Sequence, residues 1–165
     1  MLHIYYGNGK GKSTAAIGLA CRMVGANKKV QCIQFLKDGD SSEVKVLQSL
    51  GVDVIYKKLP TTFVDFSNPQ MIKEVSQLEE SLFDVVDSSY DCIILDEILD
   101  VITLSLINED KVYRKIESLK DTHEIIMTGR QPTFKFKQIA NYSTEMKKHK
   151  HPYDIQTKAR KGVEF

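Results

Sequence analysis

Gly7-Asn8-Gly9-Lys10-Gly11-Lys12-Ser13-Thr14 is the stretch on which the fold turns. It follows a short apolar run, Leu2-His3-Ile4-Tyr5-Tyr6, and opens a segment of small residues that reads as a helix. A glycine-rich, Lys-Ser segment between a strand and a helix is a phosphate cradle. Glycines let the backbone curl so that successive N–H groups face phosphate oxygens, and the helix dipole adds positive potential. Lys12 brings a full charge, and the Ser13 hydroxyl suits a magnesium ion. The usual spacing asks for glycine five residues before Gly11, where this chain has Tyr6, so the loop is one residue short. A chance glycine-rich turn with lysines on a solvated face is the competing reading, and the flanking strand and helix weigh against it.

Outward from the loop, strands and helices alternate. Strands are expected at Leu2–Tyr6, Val30–Leu36, Val52–Tyr56, Cys92–Leu95, Glu124–Met127 and Tyr142–Met146. Helices are expected over Lys12 to Val24, Glu43–Leu50, Pro69–Val86, Glu97–Leu106, Glu109–Leu119 and Pro132–Ala140. Gly25 reads as the stop of the first helix, and Gly18 as a point of close approach to the sheet. Near-continuous apolar strands separated by helices specify a parallel sheet covered on both faces. The expected fold class is α/β: a three-layer P-loop (RecA-like) fold around a mostly parallel sheet of about six strands. In such sheets, ligands gather at the carboxyl ends of the strands.

The chain has 165 residues, which reads as a single domain over 1–165. Lys+Arg 23 against Asp+Glu 22 gives a net charge of +1, no electrostatic case for a nucleic-acid partner. Cys21, Cys32 and Cys92 share no metal-ligand spacing and read as small buried hydrophobes in a reducing compartment. No leader and no membrane-length apolar run is visible, so a cytoplasmic location is expected. His3, His123, His149 and His151 lack ligand spacing and read as structural or surface histidines. Lys147–His151 reads as a solvated basic run, with contact to phosphate as the lesser alternative.

Two further strand ends carry chemistry. Ile93-Ile94-Leu95-Asp96-Glu97 places carboxylates at the edge that holds the phosphate loop, where they could serve magnesium. Glu97 is ambiguous, because in many ATPases such a glutamate orients water. Ile125-Ile126-Met127-Thr128-Gly129-Arg130 ends at the same edge. Arg130 there could steady phosphate charge or be a surface arginine.

Gly7–Thr14, Gln34-Phe35-Leu36-Lys37, Leu95-Asp96-Glu97, Thr128-Gly129-Arg130 and the closing Lys158-Ala159-Arg160-Lys161-Gly162-Val163-Glu164-Phe165 occur in one order. Together they resemble the P-loop type of ATP:corrinoid (cob(I)alamin) adenosyltransferase from the first strand to the last residue. The missing first glycine is itself typical of that family. The resemblance implies that Co(I) of a corrinoid, cobalamin or a precursor, attacks C5′ of ATP and releases triphosphate, with ATP reversed in its loop. It implies that Gly7, Asn8, Gly9, Lys10, Gly11, Lys12, Ser13 and Thr14 bind ATP. Lys12, Glu97 and Arg130 would be catalytic. Ser13 and Glu97 would hold Mg2+ (or Mn2+), with Asp96 acting one step removed from the ion. A homodimer and a reduced flavoprotein donor are also implied.

The chain departs from the family in two ways. It begins at the first strand, where relatives often carry an N-terminal extension that covers the site, so closure is expected from elsewhere. It also has no tryptophan to match the family's Phe-x-Trp pair below the corrin. Phe63 and Phe66 are the candidates, against loop aromatics tucked into the core. A P-loop ATP hydrolase or small-molecule kinase is the alternative activity, and a non-catalytic nucleotide-binding regulator is a third.

Overall fold

The computed structural model describes residues 1–60 and 65–163. Six strands form one sheet: β1 (Leu2–Tyr6), β2 (Val30–Gln34), β3 (Asp53–Tyr56), β4 (Cys92–Asp96), β5 (Glu124–Gly129) and β6 (Tyr142–Glu145). Their order is β3-β2-β4-β5-β1-β6, and every pairing is parallel. Six helices connect or follow them: α1 (Lys12–Gly25), α2 (Glu43–Ser49), α3 (Pro69–Phe83), α4 (Ile98–Thr103), α5 (Glu109–Leu119) and α6 (Phe134–Ile139).

Alternation along the strands divides the core in two. Ile93 and Leu95 join Leu2, Ile4, Ile33, Ile125 and Met127 beneath α3, α4, α5 and α6. Cys92 and Ile94 join Val30, Cys32, Val54 and Ile126 beneath α1 and α2. Successive side chains point to opposite faces, so an apolar run with no polar gap can feed both layers. The fold is therefore the expected three-layer α/β P-loop architecture.

Departures from the expected element ends have local causes. Val30–Leu36 was expected to be strand throughout, but β2 stops at Gln34, and Leu36 adopts a left-handed φ of 52° that breaks the ladder. Glu97, at φ 68°, cannot be helical, so α4 starts at Ile98. Gly25 is the last helical residue and not the stop. The left-handed residue that ends α1's turn is Asn27, at φ 58°. Gly18 is exposed, and a Cβ built there would meet nothing within 4 Å, so close packing on the sheet is not its reason. Cys32 and Cys92 are buried as expected, whereas Cys21 is exposed. No helix among the described residues is long and apolar enough to cross a membrane.

Candidate active site

The glycine-rich loop begins at Gly7, directly after the end of β1. Tyr6 is the last residue of β1, in register with Gly129 on β5 and Glu145 on β6. Its ring packs against the core and lies 4.9 Å from the Lys137 ammonium. The loop then presses on the chain that leaves β6. The Gly9 N–H donates to the Met146 carbonyl at 2.7 Å, and the Gly7 N–H to the Arg130 carbonyl at 3.0 Å. A Cβ on Gly7 or Gly9 would fall 2.5 or 2.6 Å from the Met146 oxygen. These two glycines are therefore demanded by the protein's own backbone, and the donors left for a phosphate lie elsewhere in the loop. Asn8 accepts from the Lys148 N–H at 2.9 Å, so the basic run 147–151 abuts the loop. Within that run, the Lys148 ammonium pairs with Asp154 at 2.7 Å.

Gly11, at φ 115°, precedes α1, and its carbonyl accepts from the Ala15 N–H. The Lys12 ammonium donates to the Gly9 carbonyl at 2.8 Å, over its own loop. Ser13 and Thr14 line a cavity of about 890 Å³. Across from them stand Leu36, Lys37, Glu43 and Leu59, and Gly162 and Val163 of the C-terminal segment close part of its rim. Lys12, Asp96, Glu97 and Arg130 are not in that lining.

Behind the cavity wall, a polar chain crosses three strands at their carboxyl ends. The Lys37 ammonium meets Asp96 at 2.5 Å and Glu43 at 3.9 Å. The second Asp96 oxygen accepts from the Thr128 hydroxyl at 2.7 Å, and that hydroxyl accepts from the Glu97 N–H at 2.8 Å. Gln34, at the end of β2, donates to Glu43 at 3.2 Å. Burial alone would lower the Lys37 pKa, yet the charge and hydrogen bond of Asp96 leave it raised. Glu97 is pushed up to about 8, first by burial, then by its hydrogen bond to Asp100 and the negative charges of Asp96 and Asp100.

Among the described residues, no three His, Cys, Asp or Glu side chains gather as an all-protein metal cage. Magnesium does not need one, because it takes one or two carboxylates and completes its shell with phosphate and water. The crowding of Asp96, Glu97 and Asp100 that raises the Glu97 pKa is what a divalent cation would relieve. The donor set thus fits a hard cation shared with phosphate. Both Asp96 oxygens are already engaged by protein, which suits a role one step from the ion.

The expected site residues are brought together unevenly. The loop follows β1 and the Asp96–Glu97 pair ends β4, at the same edge of the sheet but with β5 between them. Arg130 approaches only through its backbone: its N–H donates to Asp100 at 3.2 Å and its carbonyl accepts from Gly7. Its side chain is exposed and makes no hydrogen bond or ion pair among the described residues. Phe66 is 45% exposed, and so is not tucked into the core. Phe63 lies outside the described residues. His3 and His123 are structural: His3 bonds Glu124 at 2.7 Å and stacks on Tyr142, and His123 bonds the Ser88 carbonyl. Lys37, Glu43, Thr128 and Asp100 had no assigned role on sequence grounds. Lys37 and Thr128 were within reach of it, because each sits at or just past the end of a strand whose partner strands carry the loop or the acids.

Comparison with known proteins accords with this geometry. The family model described as ATP:corrinoid adenosyltransferase BtuR/CobO/CobP matches residues 1–165. The chain belongs to that family. A corrinoid adenosyltransferase of Escherichia coli (strain K12) is 30% identical over 168 residues, covering 98% of this chain and 84% of the relative. One from Pseudomonas aeruginosa is 27% identical, covering 100% of this chain and 83% of the relative. A third, corrinoid adenosyltransferase CobA of Salmonella typhimurium, is 26% identical over 98% of this chain and 84% of its own length. This member of the corrinoid adenosyltransferase family is thus an enzyme of the transferase class.

Proposed function

We propose that this adenosyltransferase-family enzyme moves the 5′-deoxyadenosyl group of ATP to the Co(I) centre of a corrinoid, cobalamin or a precursor. The observation that carries the reading is the shortened phosphate loop, made of a strand that continues through Tyr6 and two glycines closed against Met146. It stands at the strand edge that also bears Asp96 and Glu97. In the reaction, cobalt supplies an electron pair to C5′, the cobalt–carbon bond forms, the C5′–O bond breaks, and triphosphate leaves with that bond's electrons. Co(I) is itself the nucleophile, so no general base is required of the protein. The protein must align the reactants and stabilise charge on the leaving group.

The loop amides and Lys12 hold the triphosphate, with Lys10 exposed beside them. Ser13 and Glu97 are the proposed ligands of a magnesium (or manganese) ion, which when bound neutralises phosphate charge. Asp96 fixes Lys37 at the wall of the cavity and is itself oriented by Thr128. Phe66, and Phe63 with it, are the candidates to meet the corrin. Arg130 is proposed to turn its free guanidinium toward the triphosphate when substrate arrives. The whole chain acts as one domain, in the cytoplasm, as a homodimer supplied with electrons by a reduced flavoprotein.

The test is an anaerobic assay with ATP, magnesium and chemically reduced cobalamin, following the corrinoid spectrum and the phosphate product. A light-sensitive adenosylated corrinoid formed together with triphosphate is the expected outcome. ADP and phosphate released without any need for corrinoid would replace this reading with an ATP hydrolase.

A further inference from the structure

Helix α3 buries Val75, Glu79, Leu82 and Phe83 along one stripe. Glu79 occupies a place in that stripe where a leucine would ordinarily sit, and it is 0% exposed. One of its oxygens accepts the Leu36 N–H at 3.1 Å. The other is buried and has no hydrogen-bond partner. A carboxyl in an apolar stripe is costly, so what it holds there needs a reason.

Leu36 supplies one. It is a bulky residue in left-handed backbone, at φ 52°. A side chain of that size is disfavoured there and needs its surroundings to hold it. The Leu36 turn ends β2 and redirects the chain, so that Leu36 and Lys37 both reach the cavity wall. Lys37 then spans Asp96 and Glu43. We infer that Glu79 is a positioning residue: by accepting the Leu36 N–H it fixes the left-handed turn and so places Lys37 in the substrate cavity. This rests on the adenosyltransferase reading only in that the cavity is taken to hold ATP or corrinoid. The acceptor oxygen is what the turn requires, not the charge.

The full chain should be compared as wild type, Glu79→Leu, Glu79→Gln, Lys37→Ala and Glu79→Leu/Lys37→Ala. Leucine suits the apolar stripe and removes the acceptor, whereas glutamine keeps an acceptor oxygen. Each protein is scored for hydrogen exchange at the Leu36 amide, for ATP affinity, and for kcat and KM in the adenosylation assay, below its melting temperature. Glu79→Leu is expected to deprotect Leu36 and to lower kcat/KM by about 10- to 100-fold. Glu79→Gln is expected to stay within about twofold of wild type, and the double variant to lose no more than Lys37→Ala alone. Unchanged Leu36 exchange or unchanged kcat/KM in a folded Glu79→Leu protein would overturn the inference. So would losses that multiply in the double variant. If the wild type forms no adenosylated corrinoid, the reading of the reaction fails, and the positioning inference is then decided by amide exchange and by the same cycle in ATP affinity.

Discussion

At the scale of single residues, charge placed at strand ends divides into groups that meet phosphate and groups that hold those groups still. Lys12 is proposed for the first kind, and Asp96, clasped between Lys37 and Thr128, for the second. Lys12→Ala and Glu97→Ala are each expected to lower turnover by about 100-fold or more while leaving the thermal melt nearly unchanged. Near-normal activity in either variant would remove that residue from the site. Glu79 leads to a prediction about stability. Burial pushes its pKa from 4.5 up to about 7, partly offset by the Leu36 N–H. Between those values the folded state binds more protons than the unfolded one, so stability falls as pH rises through that window and is flat above it. The drop is at most about 3 kcal/mol. Chemical denaturation from pH 4.5 to 8 should show it in the wild type and a shallower decline in Glu79→Gln. Parallel curves for the two proteins would mean that Glu79 titrates normally.

At the scale of elements, the glycine-rich loop is shaped by what lies against it. Gly9→Ala sets a methyl 2.6 Å from the Met146 carbonyl, a backbone atom that cannot swing aside. The segment after β6 must move, at about 1–3 kcal/mol. ATP affinity is expected to fall while the far-UV circular dichroism is retained; unaltered affinity would show that the loop can shift freely. The same region marks the limit of what the sequence discloses. The motif 7–14 announces a strand, a turn and a helix, and all three are present at those residues. Strands at Leu2–Tyr6 and Tyr142–Met146 were also legible; that Met146 rests on the glycines depends on β6, whose four residues are all exposed, pairing beside β1, and no local pattern announces that pairing. Leu36 and Glu97 were hidden for a related reason. Left-handed turns at non-glycine residues leave no local signature; Leu36 ended β2 earlier, and Glu97 started α4 later, than propensity suggested.

At the scale of the whole molecule, the fold was legible because the central strands carry apolar residues on both faces. Cys92–Asp96 is buried at every position, and only a strand covered twice reads that way. The site was legible where a motif carries it and illegible where it is assembled from separate elements. Thr128, Lys37 and Glu43 come from β5, the turn after β2 and α2, and only the strand order brings them to Asp96. That order also has a bearing on how the protein comes into being. The strand that launches the phosphate loop is synthesised early, yet its neighbours are late: Leu2 lies beside Ile125, and His3 beside Tyr142. On a ribosome, β2, β3 and β4 can pair first, while the apolar β1 and its glycine loop wait for more than a hundred residues of chain to follow. The proposed nucleotide site is therefore among the last features of the molecule to be completed. A chain interrupted before β5 leaves that strand without a partner.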